Sequence, residues 1–228
     1  MSPSAFVTPR MTTNIVQPNK HLVDTGVMAI VRGARPERIT EVADVLVRSG
    51  ITCLELTFTI PSMVGLLSQL RSQLPAHVAI GAGTVTSIEQ ATLALDAGAM
   101  FLVSPSISLP LLELTRDRRV EYYPGAATPT EVLLAWQMGA SAVKLFPAAM
   151  WGPSYLQHLQ GPFPDIAIIP TGGIGINDAA NYIAAGARAV GVGGPLLGDA
   201  LSGGSLFCLA QRAEMLLKAV ADARRQRP

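Results

Sequence analysis

Two residues of this chain stand where ionisable side chains are least expected. Lys144 lies inside the run Ala142-Val143-Lys144-Leu145-Phe146, and Glu55 lies inside Thr52-Cys53-Leu54-Glu55-Leu56-Thr57-Phe58. Strand alternation puts Ala142, Lys144 and Phe146 on one face, with Val143 and Leu145 on the other. It likewise groups Cys53, Glu55 and Thr57. Taking a charge out of water is costly, so such residues are paired or employed. Burial favours the neutral form of an amine, and a neutral amine attacks carbonyl carbon. A buried carboxyl nearby can shuttle protons. Imine chemistry is one reading of the pair; a structural ion pair, with Glu55 neutralising Lys144 or Arg32, is the other. The basic residues number 17, of which 14 are Arg and three are Lys: Lys20, Lys144 and Lys218. Only Lys144 lies in the body of the chain.

The elements that must position these residues alternate along the sequence. Short β-rich runs occur at Val27–Arg32, Thr52–Phe58, Val78–Ala82, Met100–Ser104, Val120–Tyr123, Ala142–Phe146, Ile166–Pro170 and Ala189–Val192. Each is followed by a segment with helical spacing. The first such segment is Pro36–Ser49, with Ile39, Val42, Ala43 and Leu46 on one face. Ser87 and Gln90 form a capping-box pattern, and Thr128 is a cap for the helix from Pro129. Eight strand–helix units in about 200 residues predict a parallel sheet closed as a (β/α)8 TIM barrel, over residues 23–228 as one domain. Residues 1–22, rich in Ser, Thr, Pro and Asn, are predicted to be a flexible N-terminal arm.

Barrel chemistry gathers at the C-terminal ends of strands, and several candidates fall there. Arg32 ends the first run and is suited to holding a carboxylate; a surface arginine is the plainer reading. Gly81-Ala82-Gly83-Thr84 ends the third run, where small residues allow a ligand close approach or simply make a tight turn. Thr171-Gly172-Gly173 follows the seventh run, and Gly193-Gly194 follows the eighth. Backbone N–H groups in such loops favour anions. The histidines His21, His77 and His158 are scattered, so no metal site is expected.

Composition closes off other classes. The chain has 228 residues, a formal net charge of +1 and only 14% charged residues. Its mean hydropathy is +0.37. That is enough apolar material for a large core and argues against a disordered chain. The near-neutral balance argues against nucleic-acid partners, and no apolar run reaches the ~18 residues of a membrane span. Two cysteines, Cys53 and Cys208, make no disulfide framework and fit a cytoplasmic protein.

The segments Leu54-Glu55-Leu56-Thr57, Gly81-Ala82-Gly83-Thr84-Val85, Pro124-Gly125, Val143-Lys144-Leu145-Phe146-Pro147, Gly161-Pro162-Phe163 and Pro170-Thr171-Gly172-Gly173-Ile174 occur in this order. The chain thereby resembles the 2-keto-3-deoxy-6-phosphogluconate aldolases and the related 4-hydroxy-2-oxoglutarate and phosphogalactonate aldolases, from about Val27 to Gly194. The resemblance implies a homotrimeric, metal-free and cofactor-free lyase acting on a small 2-keto acid. It implies that Lys144 forms a Schiff base and Glu55 is the acid/base. It places Arg32, Thr84, Pro105 and Phe146 at the pyruvyl end, and Thr171, Gly172, Gly173, Gly193 and Gly194 at the distal or phosphate end. Two departures bear on the distal group. The gluconate-type enzymes often have an Arg in the loop after the glutamate strand, where this chain has Phe58-Thr59-Ile60-Pro61. They often have a Ser where this chain has Pro195, which offers neither hydroxyl nor N–H. The alternatives are a 2-keto-3-deoxy-6-phosphogalactonate aldolase, a phosphate-binding barrel isomerase or synthase without imine chemistry, and a non-catalytic sugar-acid binding protein on an aldolase-like barrel.

Overall fold

The structure is a computed structural model and describes residues 15–226 apart from Ala34. Its strands are β1 (Val27–Val31), β2 (Cys53–Thr57), β3 (Ala79–Gly83), β4 (Phe101–Val103), β5 (Glu121–Tyr123), β6 (Gly125–Ala126), β7 (Val143–Leu145), β8 (Ile168–Pro170) and β9 (Val190–Val192). Its helices are α1 (Lys20–Thr25), α2 (Ile39–Arg48), α3 (Met63–Gln73), α4 (Ile88–Asp96), α5 (Leu109–Arg118), α6 (Pro129–Gln137), α7 (Gly152–Gln160), α8 (Ile176–Ala184), α9 (Gly194–Leu197) and α10 (Leu206–Arg225).

All strand pairings are parallel. One sheet runs β5-β4-β3-β2-β1-β9 and the other β6-β7-β8, and a single bridge from Thr171 to Gly191 joins their edges. The fold is therefore α/β, a curled parallel sheet with helices packed outside. The fifth run expected from sequence, Val120–Tyr123, forms β5, and an unexpected short strand, β6, follows it beyond Pro124. Proline has no N–H to donate to a ladder. Before it, Tyr122 pairs with Leu102; after it, Gly125 pairs with Lys144. The carbonyls of Tyr122 and Pro124 accept from Ser141 and Lys144 N–H at 3.0 and 2.9 Å. One bent stretch thus borders both sheets.

The alternation that marks each strand creates two cores. Outward residues such as Leu54, Leu56, Val143 and Leu145 join the helix faces, including Val42, Leu46, Leu67 and Leu70. Inward residues Met28, Cys53, Ala79, Phe101, Tyr123, Ala142 and Ile169 form a second cluster with Leu22. Leu22 comes from α1, is fully buried, and contributes about 1.5–3 kcal/mol by that burial. The boundary drawn at residue 22 thus falls inside an ordered helix, while residues 1–14 of the expected arm lie outside the described residues. Asn19 caps α1 and also donates to Glu121 Oε2 from its backbone and its side chain, at 2.9 and 3.0 Å.

Local signals at the helix starts hold with one adjustment. Thr128 and Glu131 make the reciprocal capping box at α6. At α4, Ser87 accepts from Gln90 N–H, but the Gln90 side chain accepts from Thr86 rather than Ser87. The short helix α9 starts directly after Gly193. Among the described residues, no helix is long and apolar enough to cross a membrane.

Candidate active site

The inward faces of β2 and β7 bring the two ionisable residues together. Glu55 is 1% exposed and Lys144 8%. Lys144 Nζ lies 3.8 Å from Glu55 Oε1, within ion-pair range but too far for a hydrogen bond. Neither Glu55 carboxylate oxygen has a hydrogen-bond partner among the described residues. Burial pushes the Glu55 carboxyl above its ordinary pKa, and the Lys144 charge opposes that rise. The carboxyl therefore holds its proton to higher pH than a solvated glutamate. Lys144 Nζ also sits 5.3 Å from the centre of the Phe146 ring.

These groups open into a cavity of about 290 Å³ at the C-terminal ends of the strands. Lys144 and Glu55 line it, with Arg32, Thr84, Pro105 and Phe146. So do Thr171, Gly172, Gly173, Gly193 and Gly194. The two catalytic candidates and all nine residues assigned to the pyruvyl and distal ends thus face one space, whereas Gly81, Ala82 and Gly83 do not line it. Arg32 stands just beyond β1, exposed at the mouth, with no carboxylate partner among the described residues. Thr84 has φ +57°, a left-handed conformation that is an outlier for a β-branched residue. Backbone strain of this kind collects at functional sites. Gly172 and Gly173 have φ +95° and +76°, and the first lies beneath the Phe146 ring. Side chains rarely adopt such angles, so these glycines let the loop turn under the ring.

The cavity adds residues outside the set assigned from sequence. Ile30 and Thr57 line it. Both carry the signal that marked their neighbours, since Ile30 shares the face of Arg32 and Thr57 that of Glu55. Thr59 and Pro195, noted only as departures, line it too. Thr57 Oγ1 and Thr59 Oγ1 are 2.7 Å apart, a hydroxyl pair on one wall. Among the described residues, no group of three or more His, Cys, Asp or Glu could hold a metal ion.

The family described as KDPG and KHG aldolase matches residues 19–203. The chain belongs to this aldolase family. As a member it is a carbon–carbon lyase. It is 37% identical over 159 residues to the 2-dehydro-3-deoxy-phosphogluconate aldolase of Pseudomonas aeruginosa, covering 69% of this chain and 72% of that protein. It is 34% identical over 180 residues to a probable 2-dehydro-3-deoxy-6-phosphogalactonate aldolase of Rhizobium meliloti, covering 78% and 85%. Its fold matches that of the KDPG aldolase from Legionella pneumophila with a TM-score of 0.75 and 27% identity, covering 89% of this chain and 98% of that one. The Legionella aldolase was solved with pyruvate captured as a covalent carbinolamine intermediate. The aldolase match takes in β1 to β9, and so every strand that carries a cavity residue.

Proposed function

We propose that this protein is a class I aldolase that cleaves a 2-keto-3-deoxy-(6-phospho)sugar acid or 4-hydroxy-2-oxoglutarate to pyruvate and an aldehyde. The aldehyde would be glyceraldehyde 3-phosphate or glyoxylate. One observation carries the reading: an amine and a carboxyl with a raised pKa, both buried, lie 3.8 Å apart at the floor of a cavity. Lys144 attacks the C2 ketone as the neutral amine, water leaves, and a protonated imine forms. Glu55 takes the proton from the C4 hydroxyl. The C3–C4 bond breaks, its electron pair passes into the iminium, and the aldehyde departs. The resulting enamine takes a proton at C3. Water then adds to the imine, releasing pyruvate and the free amine. Arg32 holds the substrate carboxylate, while Thr84, Pro105 and Phe146 enclose the pyruvyl end. Thr171 and the two glycine pairs receive the distal end. No cofactor takes part in this scheme.

The similarity to the Rhizobium protein supports a second substrate, the phosphogalactonate-type keto acid. The isomerase or synthase alternative has the family membership against it. We further propose a closed (β/α)8 barrel, with β5 and β6 counted as one strand; the two ladders, the Thr171–Gly191 bridge at one seam and the Ser141 N–H donated to the Tyr122 carbonyl at the other support it. We also propose the homotrimer that the family resemblance implies; the adjacent exposed side chains of Met150 and Trp151 support a subunit contact there. Both cysteines are free, which supports a cytoplasmic setting.

The test is pyruvate release across a panel of phosphorylated and unphosphorylated 2-keto-3-deoxy acids together with 4-hydroxy-2-oxoglutarate. At least one member should give pyruvate and aldehyde in equal amounts. Silence across the panel would overturn the reading. Arg32→Leu should raise KM for the best substrate roughly 10- to 100-fold, the scale of a lost charge-assisted contact, and change kcat less. A kcat loss with KM unchanged would place Arg32 elsewhere in the mechanism.

A further inference from the structure

We propose that Gly83 is the positioning residue for Glu55: its missing side chain is the berth in which the carboxyl lies. β2 and β3 pair in register, with Glu55 opposite Gly81 and Thr57 opposite Gly83. The Glu55 side chain leans along the strand toward Gly83. A Cβ built at Gly83 would lie 1.9 Å from Glu55 Oε1, 2.4 Å from its Cδ and 2.5 Å from its Cγ. Real Cβ atoms do not approach other atoms so closely, so any other residue at 83 displaces the carboxyl. Backbone conformation does not account for the glycine. Gly83 is the last residue of β3, paired with Thr57, and, unlike Gly172 and Gly173, does not have a positive φ. Nor does it line the cavity. A glycine inside a strand weakens it and marks a close approach, and here the approaching group is the Glu55 carboxyl.

The consequence is a fixed direction for Glu55. Both its oxygens are buried without a hydrogen bond among the described residues, so the side chain is located by its packing against position 83 and by the ion pair with Lys144. Filling the berth displaces Oε1, the oxygen that lies 3.8 Å from Lys144 Nζ. Proton transfer demands near hydrogen-bond reach, so a small displacement has a large effect on rate. The catalytic consequence rests on the aldolase reading; the berth itself does not.

The test is a double-mutant cycle on the full chain. Gly83→Ala is made in the parent and in Glu55→Ala, where the displaced group is gone. In the parent it should lower kcat/KM by roughly 10²–10⁴-fold, the scale of a misplaced general acid/base. It should also lower Tm. In Glu55→Ala it should change the residual activity less than about threefold and lower Tm little, because interacting residues are non-additive. Should Gly83→Ala alone fail to fold, recovery of a folded protein in the double variant supports the berth. An equal loss in both backgrounds, no loss in the parent, or failure of both variants to fold overturns it. The Tm arm needs no turnover, so a parent that releases no pyruvate sinks the aldolase reading without touching this one.

Discussion

Lys144→Met is expected to lower pyruvate release by roughly 10⁴–10⁶-fold, the range seen when a covalent nucleophile is deleted. The thioether fills the volume of the lysine stem but has no nitrogen to form an imine. Without the imine there is no electron sink, and breaking C3–C4 leaves an unstabilised carbanion. The variant should still fold. Removing one member of a buried ion pair usually strands the other charge. Glu55, however, already has a carboxyl pushed upward by burial, and the Lys144 charge is what opposes the rise. Without Lys144 the carboxyl keeps its proton to still higher pH, which avoids an isolated buried charge. Lys144→Arg is the sharper companion. It keeps a cation beside Glu55 but cannot form the imine, so it should be as inactive as Lys144→Met. Substantial activity in Lys144→Arg would restore the isomerase or synthase reading. Activity in the supernatant and circular dichroism of the purified variants check both points.

The second large effect is at Glu55. Glu55→Gln keeps the shape but cannot take the C4 hydroxyl proton, and kcat should fall by roughly 10²–10⁴-fold. KM should change much less, because the carboxylate contact is the one proposed for Arg32. The parent's pH profile gives the sign independently. Catalysis as written needs ionised Glu55 as base. A pKa raised by burial means that ionisation is complete only above the ordinary carboxylate range. Activity should therefore fall as pH drops through that raised value, at higher pH than a solvated glutamate would dictate. Single-turnover rates of bond cleavage against pH, in parent and variant, read this directly. An acid limb that survives unchanged in Glu55→Gln would assign it to another group.

Much of this site is legible in the sequence because strands keep a strict period of two. That rule alone turns Lys144 and Glu55 inward, and it applies equally to Ile30 and Thr57. Pro105 is different: it lies in a loop after β4, where no periodicity operates, and only the family resemblance points to it. The Gly83 berth illustrates what period cannot convey. Alternation tells which face a residue uses but not which way a side chain leans along its strand, so the overlap of Glu55 with position 83 appears only in three dimensions. The split at Pro124 is hidden for a similar reason. Proline forbids one ladder bond, but which sheet each flank joins depends on neighbours distant in sequence. Helix α1 is missed because a helix of 6 residues has too little periodicity to register. Its stability comes from Leu22 in the inner cluster and from Asn19 on Glu121, both long-range contacts.

The central claim is that one amine, Lys144, carries the reaction as an imine. The most direct test is to incubate the protein with pyruvate, reduce with borohydride, and map the adduct by mass spectrometry of peptides. A single reduced pyruvate adduct on the Lys144 peptide, absent from Lys144→Met, is the predicted result. No adduct, or one only at Lys20 or Lys218, would contradict the account.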